Sequence, residues 1–446
     1  MSALAKDKRQ PDRSRQPDCS GRTILVRGPA ALRGTVQVGG AKNSVLKLMA
    51  ATLLAEGTYQ IANVPQISDV LLMAELLAAL GCEVTLPSHH DQEPLMITVP
   101  ERIASFASHG IADRFRASVA LLGPMLARHG EAVVALPGGD DFGARPIDMH
   151  LGGLANLGVE VEIIDGCVQA RAKKMRGATI RLDFPSVGAT ENLLMAAVGA
   201  TGTTVIDNAA REPEVVDLCD FLTKMGARIA GSGTNTLRIE GGNPLSLAPA
   251  DHSVVGDRIV AATFLAAVGI AGGEVTVKGV NPAHLGVLCG KLRDMGMAMQ
   301  TTDESITAVV SARLRAAKFS TLPYPGVATD LKPFLVALLA TAEGVGSVTE
   351  NLFAQRFRYV NELRLMGADI RIDTNHVVVE GQDRLQAARV TAHDIRAGAA
   401  LVIAALGAHG ETSVLEAQHI ARGYDDFAGQ LRSLGAEVRE TVVNRR

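Results

Sequence analysis

The chain has 446 residues, of which 47% are hydrophobic and 20% charged, and a formal net charge of −3. This composition is that of an ordinary globular protein, and the length exceeds what one hydrophobic core usually serves, so we expect two domains. The small net charge argues against a nucleic-acid surface. The five cysteines stand singly, without zinc-ligand or disulfide spacing, which favours a reducing, cytoplasmic location.

The N-terminal segment and the apolar stretches bear on location as well. Residues 1–20 are polar, charged and proline-bearing, without the apolar centre of a secretory signal, so we expect a disordered tail. The longest apolar stretches, 193–200 and 259–270, are shorter than the roughly 20 residues of a membrane span. The sequence therefore predicts no membrane partner.

Six segments of the chain repeat one pattern, in which a glycine-led strand is followed by a loop, a helix and a second glycine before another strand. The paired glycines lie about 23 to 28 residues apart, the length of one supersecondary unit. The copies cover residues 56–84, 129–161, 201–229, 271–299, 343–370 and 409–438.

Additional apolar helices fill the gaps between copies. They are predicted over residues 43–54, 190–198, 257–268, 331–342 and 395–406. Helices that cover sheets give an α/β (α+β) class. Three copies precede the proline-bearing connector 246–257 and three follow it, and the strand-like segments 24–27 and 35–38 are expected to complete the second half.

Several short motifs carry residues suited to binding anions. Residues 39–43, GGAKN, place Lys42 at a glycine-rich helix N-terminus, which suits a phosphate or carboxylate, although the pentapeptide alone favours a solvated lysine beside a tight turn. Arg116, Arg145 and Arg422 stand near loops, and taken singly each reads as a surface charge.

Acidic residues stand at three further loop or cap positions. Segment 137–143, PGGDDFG, has the flexibility of a lid that carries an acid, or is a plain turn. In TDLKP, Thr329 has the position of an N-cap and Asp330 that of a first-turn acid, and in HDIRAG Asp394 has the position of a capping aspartate with a local ion pair. None of these motifs alone indicates catalysis.

Taken together and in order, the motifs resemble the enolpyruvyl transferases, in particular those that act on UDP-N-acetylglucosamine. The resemblance covers about residues 24–438. Several ordered motifs on a sixfold repeat are far more specific than any one of them. The motifs are GGAKNSVLKLMAATLLAEG, FRASVALLGPMLARHG, LPGGDDFGARPIDMH, FPSVGATENLLMAA, NAAREPEVVDLC, TDLKP, DIRAGAALV and HIARGY.

The resemblance implies a two-domain inside-out α/β fold of three repeats per domain, with buried helices and outward sheets. The first domain would span residues 42–254, and the second would combine 21–41 with 255–446. It also implies a cytoplasmic enzyme without metal or organic cofactor. Such an enzyme transfers the enolpyruvyl group of phosphoenolpyruvate to the 3-hydroxyl of UDP-N-acetylglucosamine and releases phosphate. The reaction passes through a tetrahedral ketal and commits the cell to peptidoglycan synthesis, and so to cell wall, shape and division.

Site residues follow from the same resemblance. Lys42, Arg145, Arg396 and Arg422 match the cations around phosphoenolpyruvate, Arg116 resembles a further basic residue there, and Asp330 matches the carboxylate that takes the acceptor's proton. Asp394 matches the acid that accompanies Arg396. Positions that hold the nucleotide sugar are matched by Asn43, Pro146, Ile147, Asp148, Met149, Ser186, Val187 and Leu352.

The main departure from the family pattern is Asp140, which stands where many members have the lid cysteine that protonates the substrate methylene and reacts with the epoxide antibiotic fosfomycin. A carboxylic acid can donate that proton when closure desolvates it, and some members carry aspartate, so we expect a catalytic, fosfomycin-resistant lid. Asp141, Phe142 and Ala421 are less usual residues for their positions.

Three alternatives stay open at this level. The acceptor could be a nucleotide of secondary metabolism or shikimate 3-phosphate, although the PIDM and PSVGAT motifs favour the nucleotide sugar. The chain could also be a catalytically silent paralogue that binds nucleotide sugars. The presence of Asp330 together with all the basic positions argues against silence, because unused buried charges are costly.

Overall fold

The computed structural model describes residues 20–87, 93–107, 116–136, 146–242, 246–353 and 356–444, and it leaves out the side chains of residues 20, 106, 107, 116, 117, 443 and 444. The tail expected over residues 1–20 lies outside this part of the chain, except for Ser20, which begins the first strand.

The strands of the described ranges are numbered β1 to β25. They are Ser20–Gly28, Leu32–Gln37, Gly57–Ala62, Glu83–Thr85, Leu95–Val99, Phe106–Ala107, Glu131–Ala135, Glu160–Ile164, Cys167–Arg171, Thr179–Arg181, Gly202–Asp207, Arg228–Ala230, Thr236–Gly241, His252–Ser253, Gly273–Lys278, Ala298–Thr301, Ser305–Val310, Lys318–Ser320, Val345–Thr349, Asp369–Asp373, His376–Glu380, Leu385–Gln386, Arg389–Thr391, Ala408–Leu415 and Glu437–Asn444.

The α-helices of the same ranges are numbered α1 to α12. They are Lys42–Ala51, Ser68–Ala79, Leu122–His129, Asp148–Asn156, Val187–Val198, Pro213–Lys224, Arg258–Ala271, Gly286–Asp294, Lys332–Thr341, Arg358–Leu365, Ile395–Leu406 and Phe427–Ser433. The longest, α7, has 14 residues, and no helix in the described ranges is long and apolar enough to cross a membrane.

The strands form six sheets, one for each predicted copy of the repeat. The third copy shows the common plan, with strand order β10-β11-β13-β12 and helix α6 between β11 and β12. Its glycine-led strand β11 pairs in parallel with β10 and antiparallel with β13. The α/β fold class and the sixfold repeat predicted from the sequence are therefore confirmed.

The second glycine of each copy makes the turn from helix to strand. Gly81 and Gly226, for example, follow α2 and α6 with φ of 102° and 107°. A side chain at such φ strains the backbone, whereas glycine adopts it freely. These glycines let each outer helix turn within a few residues into a strand of the same sheet.

Two sets of three helices fill the interior of the molecule. Helices α1, α3 and α5 belong to one hydrophobic core, and α7, α9 and α11 to a second. All twelve residues of α11 are buried, whereas β8 turns most of its side chains to solvent. These six helices thus lie inside and the sheets outside, as the family resemblance predicts.

Helix α3 was not among the helices predicted between the repeats. Its second and third residues are Gly123 and Pro124, which read as a break, but proline is tolerated in a first helical turn. Gly123 is needed because a Cβ there would lie 2.3 Å from the carbonyl oxygen of Asn192 on α5. Close packing of α3 on α5 therefore explains why a glycine stands at this position, and that glycine is the reason why the sequence did not predict the helix.

The two N-terminal strands join the second half of the chain. β1 lies between β24 and β25, and β2 pairs in parallel with β15. One core draws on residues 45–254, and the other on residues 24–38 and 259–438. The domain limits given above stay a prediction, which these pairings and cores support.

A buried ion pair links two inner helices of the first core. The Lys47 Nζ of α1 lies 3.0 Å from the Glu191 Oε2 of α5, and the Glu191 side chain is 1% exposed. Burial raises the pKa of Glu191 to about 7, although Lys47 opposes the shift. A raised carboxyl pKa contributes stability that is complete below the unfolded pKa and is lost as pH rises through the folded pKa.

We therefore expect Glu191→Gln to change how stability depends on pH. As pH rises from 4.5 to above 7, the wild-type protein should lose stability relative to the variant, by up to about 3 kcal/mol. Calorimetric unfolding of both proteins at pH 5 and pH 8 measures this difference. The exposed Glu160→Gln serves as the control, and a constant difference at both pH values would contradict the expectation.

Candidate active site

A single buried carboxylate joins two of the predicted cations. Asp69, in the first turn of α2, lies with its Oδ2 2.7 Å from the Lys42 Nζ, and its Oδ1 accepts a 2.9 Å hydrogen bond from the Arg422 Nε. Asp69 is 2% exposed. The backbone N–H of Lys42 donates to Asp257, which caps α7 in the second half. Lys42 is thus fixed from both halves of the molecule.

Arg396 lies beside this pair. A Cβ built on Gly423 would lie 3.6 Å from both the Lys42 Cδ and an Arg396 guanidinium nitrogen, so the missing side chain leaves room for the two cations to approach. Burial and the charges of Arg396 and Arg422 lower the pKa of Lys42, although Asp69 opposes them. The structure therefore brings Lys42, Arg396 and Arg422 together.

Asp330 presents its carboxylate at the edge of this cluster. Its Oδ1 accepts from Arg356 at 2.9 Å and its Oδ2 from the Arg396 Nε at 3.3 Å. The Asp330 side chain is 28% exposed, whereas those of Arg356 and Arg396 are 4% and 3% exposed. The two buried guanidinium groups hold an accessible carboxylate in one orientation.

Asp394 caps helix α11, as its sequence position suggested. Its Oδ1 accepts from the backbone N–H groups of Arg396 and Ala397, each at 2.9 Å. Its ion pair is formed not within this segment but with Arg356, 38 residues earlier in the chain, at 3.2 Å. Tyr424 stacks under the Arg396 guanidinium at 5.3 Å from its ring centre. Together these contacts fix the direction of Arg396.

The residues predicted to hold the nucleotide sugar lie largely at two neighbouring helix starts. Ser186 caps α5 by accepting from the Ala189 N–H, and Val187 is its first residue. Residues 146–149 lead into α4, with Asp148 exposed and Ile147 buried. A Cβ on Gly188 would lie 3.3 Å from the His150 ring, which shows how closely the two starts approach.

The other two predicted sugar-binding residues are held through the backbone. The carbonyl of Asn43 accepts from the Lys47 Nζ at 2.8 Å, and the N–H of Leu352 donates to Glu350 at 2.8 Å. A cavity of about 200 Å³ adjoins the start of α5 where the two halves face each other. It is lined by Pro185, Asn208, Ala209, Arg211, Asn235, Pro323 and Tyr324.

Three predicted residues cannot be placed in the site. Asp140 and Arg145 lie outside the described residues, and Arg116 begins the 3₁₀ turn Arg116–Leu121 without a described side chain. Their roles stay predictions. In the ranges that are described, His, Cys, Asp and Glu form no group of three suited to a metal, and the expectation of a cofactor-free reaction likewise stays a prediction.

Sequence reasoning missed Asp69 and Arg356. Asp69 stands in the first turn of an apolar helix, where an acid ordinarily favours the helix dipole, so its contact with two cations gave no separate signal. Arg356 lies in the segment FAQRFRYV beside another arginine, Arg358, and nothing in the spacing distinguishes the buried one. Both are recognisable only by their partners in space.

The arrangement can bind a small ligand that carries two anionic groups and present a carboxylate beside it. Three cations next to one another are costly unless an anion joins them. Asp69 supplies one compensating charge for Lys42 and Arg422. A ligand with phosphate and carboxylate groups would supply the rest, within reach of Asp330.

Comparison with known proteins agrees with this chemistry. The family model described as EPSP synthase (3-phosphoshikimate 1-carboxyvinyltransferase) matches residues 26–431. The chain belongs to this family, and the resemblance drawn from its motifs is confirmed.

Two relatives that are named for their activity are identical to this chain at about half of the aligned positions. The UDP-N-acetylglucosamine 1-carboxyvinyltransferase of Nocardia farcinica is 55% identical over 93% of this chain and 97% of its own length. That of Corynebacterium jeikeium is 51% identical over 93% and 98%. Among solved structures, the enolpyruvyl transferase NikO from Streptomyces tendae has a TM-score of 0.86 at 26% identity and covers 95% of this chain and all of its own.

Proposed function

We propose that this protein transfers the enolpyruvyl group of phosphoenolpyruvate to the 3-hydroxyl of UDP-N-acetylglucosamine and releases phosphate. The convergence of Lys42, Arg396 and Arg422 beside the accessible carboxylate of Asp330 carries the proposal. Relatives at 51% and 55% identity, matched over nearly their full length, bear the name of this activity.

The cations bind the donor and stabilise its transition state. The phosphate and carboxylate of phosphoenolpyruvate meet Lys42, Arg396 and Arg422, which neutralise the charge that develops as the double bond is attacked. Burial lowers the pKa of Arg396, but Tyr424, Asp330 and Asp257 outweigh that effect and raise it, so this guanidinium stays charged.

Asp330 takes the proton of the acceptor hydroxyl while the oxygen of that hydroxyl bonds to C2 of phosphoenolpyruvate. The methylene carbon gains a proton at the same time, and we assign that proton to the carboxyl group of Asp140. The product of this addition is a tetrahedral ketal. The Asp140 carboxylate then takes a proton from the methyl group so formed, and the C–H electron pair becomes the new double bond. Phosphate leaves with the C2–O electron pair and the proton that Asp330 had received.

The acceptor lies in the cleft between the halves. The starts of α4 and α5 offer backbone N–H groups and the positive end of two helix dipoles to the diphosphate, and Leu352 approaches the sugar from the second half. The enolpyruvyl product of this reaction is a precursor for peptidoglycan synthesis. Cys82, Cys167, Cys219 and Cys289 are buried thiols, which agrees with the proposed cytoplasmic location.

Phosphate release from phosphoenolpyruvate tests the proposal directly. The protein is assayed with UDP-N-acetylglucosamine, shikimate 3-phosphate and a free uridine nucleotide as separate acceptors. We expect release with UDP-N-acetylglucosamine and a mass gain of one enolpyruvyl group on that acceptor. Turnover confined to another acceptor would reassign the substrate, and no turnover with any would favour a silent binding protein.

Fosfomycin should leave this enzyme active because the lid residue is Asp140. An epoxide needs a strong nucleophile to form a lasting adduct, and a carboxylate is far weaker than a thiolate. We expect no time-dependent inactivation in the presence of nucleotide sugar and no mass increase on the peptide 137–145. Asp140→Cys should show time-dependent inactivation and the mass increase on that peptide, so it serves as the positive control. Asp140→Ala should lose most turnover. Rapid covalent inactivation of the unmutated enzyme would refute this assignment.

A further inference from the structure

A lysine that the proposed reaction does not use is completely buried behind the site. Lys332 begins α9, two residues after Asp330, and its side chain is 0% exposed. Its Nζ lies 3.1 Å from the Glu350 Oε2 and 4.1 Å from the ring centre of Phe357. Burying an ammonium group costs free energy, so the buried pair of Lys332 and Glu350 indicates a role for these two residues beyond simple packing.

Glu350 gathers hydrogen bonds from three separate segments. Its Oε2 accepts from the Thr329 hydroxyl at 2.7 Å. Its Oε1 accepts from the Thr321 hydroxyl at 2.8 Å and from the N–H groups of Leu352 and Phe353 at 2.8 and 3.1 Å. Burial alone would raise the pKa of Glu350, but Lys332 and these donors outweigh it and lower the pKa, so the group is an anion.

The segments that Glu350 joins are those on which the reaction depends. Thr329 immediately precedes Asp330, and both lie in the 3₁₀ turn Thr329–Leu331. Leu352 is one of the residues assigned to the nucleotide sugar. One buried carboxylate therefore binds the base-carrying turn through one oxygen and the acceptor-binding segment through the other.

We propose that Lys332 and Glu350 form a positioning pair that sets the distance between Asp330 and the acceptor-binding backbone at Leu352. This inference rests on the proposed function for the roles of those two residues. Neither member of the pair touches substrate. Lys332 supplies the charge that lets Glu350 remain an anion inside the protein, and an anion can accept from all four donors at once.

Thr329 offers the least disruptive test, because valine has nearly the shape of threonine without the hydroxyl. Misplacing a reacting group by about 1 Å can cost up to 100-fold in rate, so we expect Thr329→Val to lower kcat by about 10-fold. The KM for phosphoenolpyruvate should change less than about two-fold, because Asp69 holds Lys42 and Arg422 and the Tyr424 ring packs against the Arg396 guanidinium. Thr329→Ser keeps the hydroxyl and should restore turnover.

Thr276→Val is the matched control. The Thr276 hydroxyl contacts that of Thr307 at 2.9 Å on a sheet of the same half, so the substitution removes one hydroxyl contact there. Its kcat and KM should equal those of the unmutated enzyme. Equal turnover of folded Thr329→Val and the unmutated enzyme would overturn the proposal.

Hydrogen exchange tests the same pair without using activity. In Glu350→Gln, one carbonyl oxygen must replace two carboxylate oxygens, so we expect the amides of Leu352 and Phe353 to exchange at least about ten-fold faster. Amides of the buried helix α11 should stay protected and report that the variant is folded. Unchanged exchange at Leu352 and Phe353 would show that Glu350 does not hold this segment and would overturn the proposal.

The two measurements separate this inference from the proposed function. If the unmutated protein releases no phosphate with any acceptor, the proposed function fails, and hydrogen exchange still decides whether Glu350 holds Leu352. If the unmutated protein is active and Thr329→Val is equally active, only the positioning pair is wrong.

Discussion

Asp330→Asn is expected to lower kcat by about 100-fold or more while UDP-N-acetylglucosamine binds almost as before. Asparagine has the shape of aspartate but cannot take a proton from the acceptor hydroxyl. Its single carbonyl oxygen can still accept from Arg356 or Arg396, which hold the wild-type carboxylate at 2.9 and 3.3 Å. Turnover by phosphate release and acceptor affinity by calorimetry measure the two effects separately.

Arg356→Lys distinguishes loss of the base from loss of its orientation. Lysine keeps the positive charge but cannot contact both Asp330 and Asp394 as the guanidinium does at 2.9 and 3.2 Å. We expect a smaller loss of about 10-fold in kcat, since the carboxylate itself remains. If Asp330→Asn turns over at the wild-type rate, another group must accept the proton.

Asp69→Asn is expected to lower kcat/KM for phosphoenolpyruvate by about 100-fold, largely through KM. Asp69 is the carboxylate that compensates Lys42 and Arg422, whose side chains are only 12% and 19% exposed. Burial, Arg396 and Arg422 lower the pKa of Lys42, and Asp69 opposes them. Without the carboxylate charge the pKa of Lys42 must fall further, and the site loses a cation as pH rises through that lower value.

The pH dependence of kcat/KM reports this directly. Activity that needs charged Lys42 declines on the alkaline side, and in Asp69→Asn this decline should begin at a lower pH than in the unmutated enzyme. Glu75→Gln, an exposed acid-to-amide change on the same helix, is the control and should leave the profile unchanged. An unshifted alkaline limb in Asp69→Asn would show that Asp69 does not sustain the charge of Lys42.

Much of the architecture was predictable from local sequence signals. Glycines such as Gly81 and Gly226 mark helix ends because the backbone there needs a φ that other residues avoid, and this requirement recurs in every copy. Helix α3 escaped because Gly123 serves packing against Asn192, a contact distant in sequence. Local chemistry is visible in a sequence, whereas a close approach between two helices is not.

The site was predictable where family motifs mark it and less so elsewhere. Lys42, Asp330, Arg396 and Arg422 were expected from their motifs, and the structure brings them together. Asp69 was missed because a buried counter-ion can be recognised only by the cations that it contacts in the folded protein. Asp69 and Arg422 are distant in the chain, and no periodicity connects them.

The position of β1 affects how the protein is made. This strand lies in the middle of its sheet, and its neighbours are the last strands of the chain, with Ile24 opposite Val414 and Gly21 opposite Val443. During synthesis, the first core, drawn from residues 45–254, can assemble while β1 still has both edges unpaired. An unpaired strand edge is a template for pairing with other chains. β1 therefore waits for its sheet partners until β24 and β25, residues 408–444, have been synthesised, and only then can the sheet of the second half close around it.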